Sequence, residues 1–418
     1  MIIDIPYGPN HNIPLEIPAA NLTALVRPRE CPTADQSGVV LRALEQPFNS
    51  RRFKDFLRTG KETLVIVNDA SRPTPTALIL GLLGDLAQDF SRLTFLVATG
   101  VHRPPDHREL SFIFGSHMKT LRDRIFVHDG RREEETVKIG TTRRGTEVML
   151  NDRAIKAKKI ICVSSVEPHY FAGYTGGRKS FLPGIAARKA VEQNHRHAMD
   201  PQARLLVLRG NPVHEDMMES LKFLADKEIF SIQTVLDRER KIFACAAGHI
   251  RDSFSRAVYQ ARRVYCRPIP ARADIVLTVA RFPMDIDLYQ SQKAVENGKL
   301  ALRKGGILIL VSPCRDGIGD RAYYDRLTAF KNPAALLKTP AERYELGFHK
   351  SLKFAELMVW ADVWAVTGLP AHELEAIFIR PFPRLQEALD AALKKKGPKA
   401  KVLVLLDGSV TVPVLKTK

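Results

Sequence analysis

The chain has 418 residues, 45% of them apolar and 26% charged, and a net charge of +18. This is the composition of an ordinary soluble protein with room for two or three domains. No apolar run reaches ~18 residues, and MIIDIPYGPN lacks a basic region followed by a long apolar one, so neither a membrane span nor a signal peptide is expected.

Five cysteines (Cys31, Cys162, Cys245, Cys266, Cys314) are scattered and show no C-x-x-C spacing. They read as reduced thiols of a cytoplasmic protein and argue against a structural zinc site. The positive charge is spread as doublets, such as Arg51-Arg52, Arg131-Arg132, Arg143-Arg144 and Arg262-Arg263, with one longer run at Lys394-Lys395-Lys396. No recognition-helix, zinc-finger or aromatic RNA-binding signature accompanies it, so no specific nucleic-acid partner is expected. A solvated basic surface that also attracts anionic ligands is the simpler reading.

The first ~35 residues are proline-rich and extended, with an edge-strand candidate at Met1 to Ile5. Gly38 to Leu57 fits one or two short helices. Thr63 to Val67 (TLVIV) is a strong buried strand, and Pro73 and Pro75 stop it. A helix is expected over Thr76 to Phe90. The turn between them, Asp69-Ala70-Ser71-Arg72-Pro73, sits where α/β sheets bind ligands. Asp69 can accept hydrogen bonds from a ribose or cap the next helix, and Arg72 can fork two donors onto a carboxylate or phosphate. The strand Leu93 to Ala98 ends in Thr99-Gly100-Val101-His102-Arg103-Pro104, and a histidine there can point into a cleft or stay at the surface. Phe126 to Met149 suggests hairpin turns.

Lys159 to Val166 (KIICVSSV) is another buried strand. It leads into EPHYFAGYTGGRKSFLPGIAARKAVEQNH, which carries His169, Lys179 and His195 at fixed offsets around a glycine-rich loop, Gly173 to Ser180. A true phosphate-binding P-loop needs a second glycine where Arg178 stands, and an arginine side chain there obstructs the cradle. A looser reading keeps close backbone approach to a ligand, with Arg178 and Lys179 bringing two positive charges to it. Gly184 to His197 is an expected helix with His195 near its end. His197 lies two positions on and points elsewhere, and His214, at the start of the next helix, reads as structural.

Strands are expected within Glu228 to Ala246 and a helix from about Asp252 to Tyr265. Cys266-Arg267-Pro268-Ile269-Pro270 reads as a linker, dividing the chain into α/β domains over 1–267 and 271–418. In the second, the strand Ala273 to Val279 precedes a helix over Leu288 to Leu302, whose Gln290 and Lys293 share a face. Taken alone, Lys293 is an ordinary surface lysine. Gly305 to Val311 and Lys401 to Leu406 are further strands, Pro333 to Lys338 is a short helix, and Trp360 and Trp364 are core candidates.

Taken in register, these elements resemble the nickel-pincer-dependent lactate racemase family of 2-hydroxy-acid racemases and epimerases. The elements that carry the resemblance are Asp69–Pro73, the T-G-x-H-R-P stretch with His102, His169 with the GYTGGRKSxLPGIA loop, His195, and Gln290-x-x-Lys293. The resemblance implies two α/β domains with parallel-rich sheets and an active-site cleft between them that closes over the substrate. It implies a nickel pyridinium-3,5-bisthiocarboxylate mononucleotide covalently attached at Lys179, with His195 as nickel ligand and Asp69, Ala70, Ser71 and Arg72 contacting the nucleotide. It implies His102 and His169 as acid and base, and Arg72, Gln290 and Lys293 as substrate contacts. C2 of a 2-hydroxy acid would then be inverted by hydride transfer through a 2-keto acid, which avoids a carbanion beside a carboxylate. Cofactor-synthesis proteins are the implied partners. Lactate, malate, aromatic hydroxy acids and sugar acids would all make the same carboxylate and C2-hydroxyl contacts. Two other readings stand beside this one: a nickel-free phosphate- or nucleotide-binding enzyme using the glycine loop, and a basic nucleic-acid-binding protein.

Overall fold

The structure, a computed structural model, describes residues 1–31, 35–58, 62–87, 92–340 and 343–416. Two compact units result, one formed by residues 30–264 and the other by residues 1–29 together with 265–418.

In the 30–264 unit, a six-stranded sheet runs in the order Ile242–Gly248, Glu228–Leu236, Lys159–Ser165, Thr63–Asn68, Leu93–Ala98, Ile125–Val127. All neighbours are parallel except the edge strand Ile242–Gly248, which pairs antiparallel with Glu228–Leu236. The central strands are buried along their length, which is why TLVIV, LTFLVA and KIICVSSV read as continuous apolar runs. On one face Val65, Val67, Phe95, Val97, Ile161 and Val163 pack against Val40, Leu44, Leu80 and Leu83 of the covering helices. The helix after the Asp69 turn spans Thr76–Ala87, and its expected end at Phe90 lies outside the described residues.

The Phe126 to Met149 region forms an antiparallel hairpin, Thr136–Thr141 with Glu147–Asn151. Where a helix is expected over Gly184 to His197, only Arg188–Arg196 is helical. Residues 184–187 are used differently: the N–H of Gly184 donates to Lys179, that of Ile185 to Phe181, and that of Ala187 to Met149. These bonds close the glycine-rich segment against the hairpin, and the helix starts only beyond them.

The other unit holds a second six-stranded sheet, all parallel, in the order Arg380–Pro381, Asp362–Val366, Leu302–Val311, Ala273–Val279, Val402–Leu405, Leu22–Val26. Its core gathers Ile275, Leu277, Ile307, Ile309, Val402 and Val404 with Trp364, while Trp360 is half-buried. The edge strand Leu22–Val26 comes from the N-terminal 29 residues. A single cut after residue 267 would thus separate two hydrogen-bonded strands, because Leu22–Val26 completes the sheet of 265–418. The start of the chain, Ile2–Pro6, pairs with Asn12–Glu16 in a hairpin of its own. The helix at Leu288 ends at Gly298, and a short 3-10 turn leads directly into the strand at Leu302.

Beneath the helix Arg188–Arg196 sits the fully buried carboxylate of Asp216. It accepts hydrogen bonds from Thr142 Oγ1, from Thr146 Oγ1 at 2.8 Å and from Asn194 Nδ2 at 2.7 Å. Truncating it leaves three interior donors without their acceptor. Asp216→Ala is therefore expected to lower stability by about 3 kcal/mol in urea unfolding. An unchanged midpoint would show that these donors find other acceptors.

Candidate active site

Three adjacent strands of the 30–264 unit, Leu93–Ala98, Thr63–Asn68 and Lys159–Ser165, end on the same edge of the sheet, and each delivers candidate residues there. From the first comes His102, whose N–H donates to Thr99 O at 3.0 Å. From the second comes the turn Asp69 to Arg72, tied back by Thr74 Oγ1, which lies 2.9 Å from Asn68 Oδ1 and 3.0 Å from Ser165 Oγ. From the third comes the two-residue hairpin Pro168–His169 with Gly173–Tyr174, followed by the glycine loop. Gly100 N–H donates to Gly184 O at 2.9 Å, joining the His102 loop to the end of the glycine loop.

Asp69 and His102 form a direct pair. Asp69 Oδ2 is 2.7 Å from His102 Nδ1, and Oδ1 accepts from Ser71 Oγ at 2.6 Å. The carboxylate is buried while the imidazole is exposed. Burial alone would raise the Asp69 pKa. The hydrogen bonds from His102 and Ser71 and the charges of His102 and Arg72 outweigh it and hold the carboxyl below its usual range. With Nδ1–H given to Asp69, His102 keeps Nε2 for other partners. Each Asp69 oxygen retains acceptor capacity. Ala70 packs half-buried against the core, Ser71 is exposed and Arg72 is half-buried.

His169, Lys179 and His195 gather around one ring. Phe171, itself 3% exposed, lies 4.5 Å from the His169 ring and 5.1 Å from the His195 ring, centroid to centroid, and Lys179 Nζ lies 5.4 Å from its centroid. His169 Nδ1 accepts the Ala172 N–H at 3.3 Å, so a proton on this imidazole sits at Nε2. Burial first, then the charges of Lys179, Arg72, His195 and Arg178, push the His169 pKa well below its ordinary value. Burial first, then Arg72 and Arg178, likewise push Lys179 well below the usual lysine range. Both shifts favour the uncharged forms, an imidazole free to accept a proton and an amine that gives one up more readily than an ordinary lysine. The buried His195 sits in the last turn of Arg188–Arg196, one residue beyond the Asn194 that Asp216 anchors.

Arg178 is not a ligand-facing cation. Its side chain is 1% exposed, and its guanidinium donates to the carbonyls of Ala172 (2.8 Å), Tyr174 (2.9 Å), Gly176 (3.1 Å) and Thr175 (3.4 Å). Its other face lies 4.5 Å from the Phe254 ring centroid. The arginine that spoils the P-loop pattern is the pin around which this loop is wrapped. The loop's own amides are used internally too: Gly177 N–H donates to Gln233 Oε1 at 2.8 Å, and Lys179 N–H to Gly176 O at 3.2 Å. They are not arranged as a phosphate cradle. Glycine is required at Gly173 and Gly176. Both have positive φ, and an added Cβ would meet Val207 O at 2.2 Å or Val166 Cγ2 at 2.5 Å.

Gln290 and Lys293 belong to the other unit, on the helix Leu288–Gly298 capped by Asp287, whose Oδ1 accepts the Gln290 N–H at 2.6 Å. Gln290 is exposed and Lys293 half-buried. His214 stacks near Phe254 at 6.0 Å, as a packing residue does. Sequence reading missed Phe171 as the common neighbour of the three key side chains, since nothing in H-Y-F-A-G marks one aromatic above the other.

Residues 7–205 match the family model for the lactate racemase N-terminal domain, and residues 269–414 the one for the lactate racemase C-terminal domain. The lactate racemase of Lactiplantibacillus plantarum is 32% identical over 389 residues, covering 88% of this chain and 89% of its own. That of Thermoanaerobacterium thermosaccharolyticum is 30% identical over 426 residues, covering 97% of each. The chain belongs to the lactate racemase family. The structure of the lactate racemase apoprotein from T. thermosaccharolyticum matches with a TM-score of 0.90 at 29% identity, covering 99% of this chain and 100% of that one. A crystal structure of a Thermotoga maritima protein shares the fold, with a TM-score of 0.65 at 17% identity over 87% of this chain and 98% of that one. Among the described residues, no three His, Cys, Asp or Glu side chains converge as a metal site. No helix among them is long and apolar enough to cross a membrane.

Two measurements test this geometry. Arg178→Met removes the donor for four interior carbonyls, and Arg178→Lys cannot reproduce the fork, so both are expected to cost about 3 kcal/mol or more in urea unfolding. Lys179 is expected to react ahead of exposed lysines with a limiting dose of an amine reagent near pH 7, read by peptide mass spectrometry on cofactor-free chain. Ordinary lysines stay protonated below about pH 10.4. The folded chain holds fewer protons at Lys179 than the unfolded one, so this group's contribution to stability improves as pH rises toward that value. Labelling of Lys179 no faster than average would count against a neutral amine.

Proposed function

We propose that this chain is a racemase or epimerase that inverts C2 of a lactate-like 2-hydroxy acid, with a nickel-pincer nucleotide tethered at Lys179. The observation that carries this reading is the placement of the Lys179 amine against the same Phe171 ring as two histidines, where burial and neighbouring cations lower its hold on a proton. A neutral amine is what covalent attachment requires. One buried imidazole, His195, suits a nickel that takes its other ligands from the nucleotide, and the protein offers no competing cluster of metal donors among the described residues. The residues fit the group on both counts.

When bound, the nucleotide and its nickel supply reversible hydride removal at C2, which takes the substrate through a 2-keto acid. The protein's own part is binding and proton movement. His169, neutral at Nδ1 by its bond from Ala172 and kept neutral by burial and surrounding cations, serves as a proton acceptor for the C2 hydroxyl. His102, oriented by Asp69, offers Nε2 as the second acid–base group. Asp69 keeps that imidazole in one tautomer and stabilises it when protonated. Arg72 binds the substrate carboxylate with a two-donor fork, and the backbone from Asp69 to Ser71 lines the nucleotide. Gln290 and Lys293 are proposed as further substrate contacts on the strength of the family pattern. The glycine loop, with the amides of Tyr174, Thr175, Gly177 and Lys179 already bonded within the protein, favours this reading over a phosphate cradle. The arginine-rich 131–144 segment spends its charge on neighbours, with Arg132–Glu135 at 3.1 Å, Arg143–Glu219 at 3.4 Å and Arg144–Glu215 at 3.1 Å, rather than presenting an open basic stripe.

The deciding experiment is intact mass and nickel content after co-expression with cofactor-synthesis proteins, followed by racemisation assays on a panel of 2-hydroxy acids. Wild type is expected to gain mass and stoichiometric nickel, and Lys179→Ala to gain neither. His102→Ala and His169→Ala are expected to keep nickel and lose about 10²–10⁴ in kcat. Full activity in either histidine variant would remove that residue from the acid–base pair. An unloaded wild type, made where a known racemase is loaded, would overturn the cofactor assignment.

A further inference from the structure

Lys350 opens no motif, yet its side chain is built into the turn that displays Gln290 and Lys293. It lies on the helix Phe348–Trp360. Its ammonium sits 3.1 Å from the centroid of the Tyr289 ring and 6.0 Å from that of Tyr323, two rings in edge contact at 5.4 Å. It also donates to the backbone carbonyl of Tyr289. In an α-helix that carbonyl is the acceptor for the N–H of residue i+4, here Lys293. Lys350 therefore shares an acceptor with the backbone of Lys293. A second tie runs the other way, from Gln292 Nε2 to Lys350 O at 3.0 Å. The first turn of the helix Leu288–Gly298 is held on both sides by one residue of a distant segment.

The charges around Lys350 are specific. From the Leu288–Gly298 helix and its cap, Asp287, Tyr289, Lys293 and Glu296 face it. From the helix Arg321–Thr328 and its cap come Asp320 and Tyr323. Glu296 is already paired with Lys299. Burial above all, with the positive charge of Lys293, brings the Lys350 pKa down to about 7 against the upward pull of Asp287, Glu296 and Asp320.

We propose that Lys350 is a positioning residue for Gln290 and Lys293, and that its charge makes binding of the substrate carboxylate to that pair pH-dependent. This rests on the assignment of Gln290 and Lys293 as substrate contacts. An anion at Lys293 relieves the repulsion between the two ammonium groups, so the bound state holds Lys350 protonated. Affinity is then greatest below neutral pH and falls as pH rises through it. Once the anion is bound, Lys350 adds a second positive charge behind it.

Two measurements decide this. On nickel-loaded enzyme, with lactate as the test acid, KM is expected to rise about tenfold between roughly pH 6 and pH 8.5, with a smaller change in kcat. Lys350→Met is expected to raise KM about tenfold at the low end and to flatten the pH step, while Lys350→Arg, always charged, keeps KM low across the range. A Lys350→Met enzyme with the wild-type KM and pH step would overturn the proposal. The second readout needs no cofactor. Amide hydrogen exchange over Tyr289 to Lys293 in unloaded chain is expected to quicken about tenfold in Lys350→Met and to recover in Lys350→Arg. Unchanged exchange would overturn the clamp. If loaded wild type racemises no 2-hydroxy acid, the functional reading fails, and the exchange measurement still decides the clamp.

Discussion

The glycine-rich loop depends on one buried guanidinium. Four carbonyls converge on Arg178, and a flat, five-donor group is the side chain that can answer all of them at once. The arrangement is unusual, because a cation is taken out of water with no carboxylate paired to it among the described residues. The partial negative charges of oriented peptide carbonyls and the face of Phe254 take the place of a counter-ion. Wrapped this way, the backbone turns its Lys179 side chain away from the pin and toward Phe171. The loop owes its shape to its own arginine, so it can hold that shape with no ligand present.

Around this loop the electrostatics run in one direction. Beyond the effect of burial, Arg72 and Arg178 lower the protonation of Lys179, and Lys179, Arg72 and Arg178 lower that of His169. A cluster of like charges is a strained arrangement by itself, and it is relieved either by losing protons or by gaining an anion. Lys179 and His169 take the first route. The second leaves the surroundings of Arg72 receptive to carboxylate or phosphate. On the opposite side of the ledger stands Asp69, which His102 and Ser71 keep ionised despite burial.

Much of this is legible in the sequence. The buried strands announced themselves as short β-branched runs, and the turns after them as clusters of proline, glycine and polar residues. His102, His169 and Lys179 stood out by their places after a strand end or in the glycine loop, while the roles of all three and of His195 came from the family resemblance. What stayed hidden depended on tertiary neighbours. The Asp69–His102 bond joins residues from two different strand ends, and from the sequence Asp69 could equally have capped a helix. Arg178 and Lys179 are adjacent and chemically alike, yet one is a structural pin and the other turns its amine toward Phe171; only the direction of each side chain separates them. The false start of the Arg188–Arg196 helix has the same origin, since Gly184 to Ala187 have helical composition but spend their N–H groups on the loop and hairpin. Lys350 could not be found at all, because its partners lie far away along the chain.

The edge strand Leu22–Val26 carries a consequence for how the protein is made. Its partner, Val402–Leu405, is nearly a full chain length away. On the ribosome this strand emerges long before that partner and waits unpaired until Val402–Leu405 has been added. The whole of 30–264 is available to fold during that wait. The second sheet is therefore the late-closing one, its final pairing a long-range event that synthesis itself delays. An unpaired strand on a nascent chain is also open to pairing with another chain, so that interval is a vulnerable one in the life of this protein.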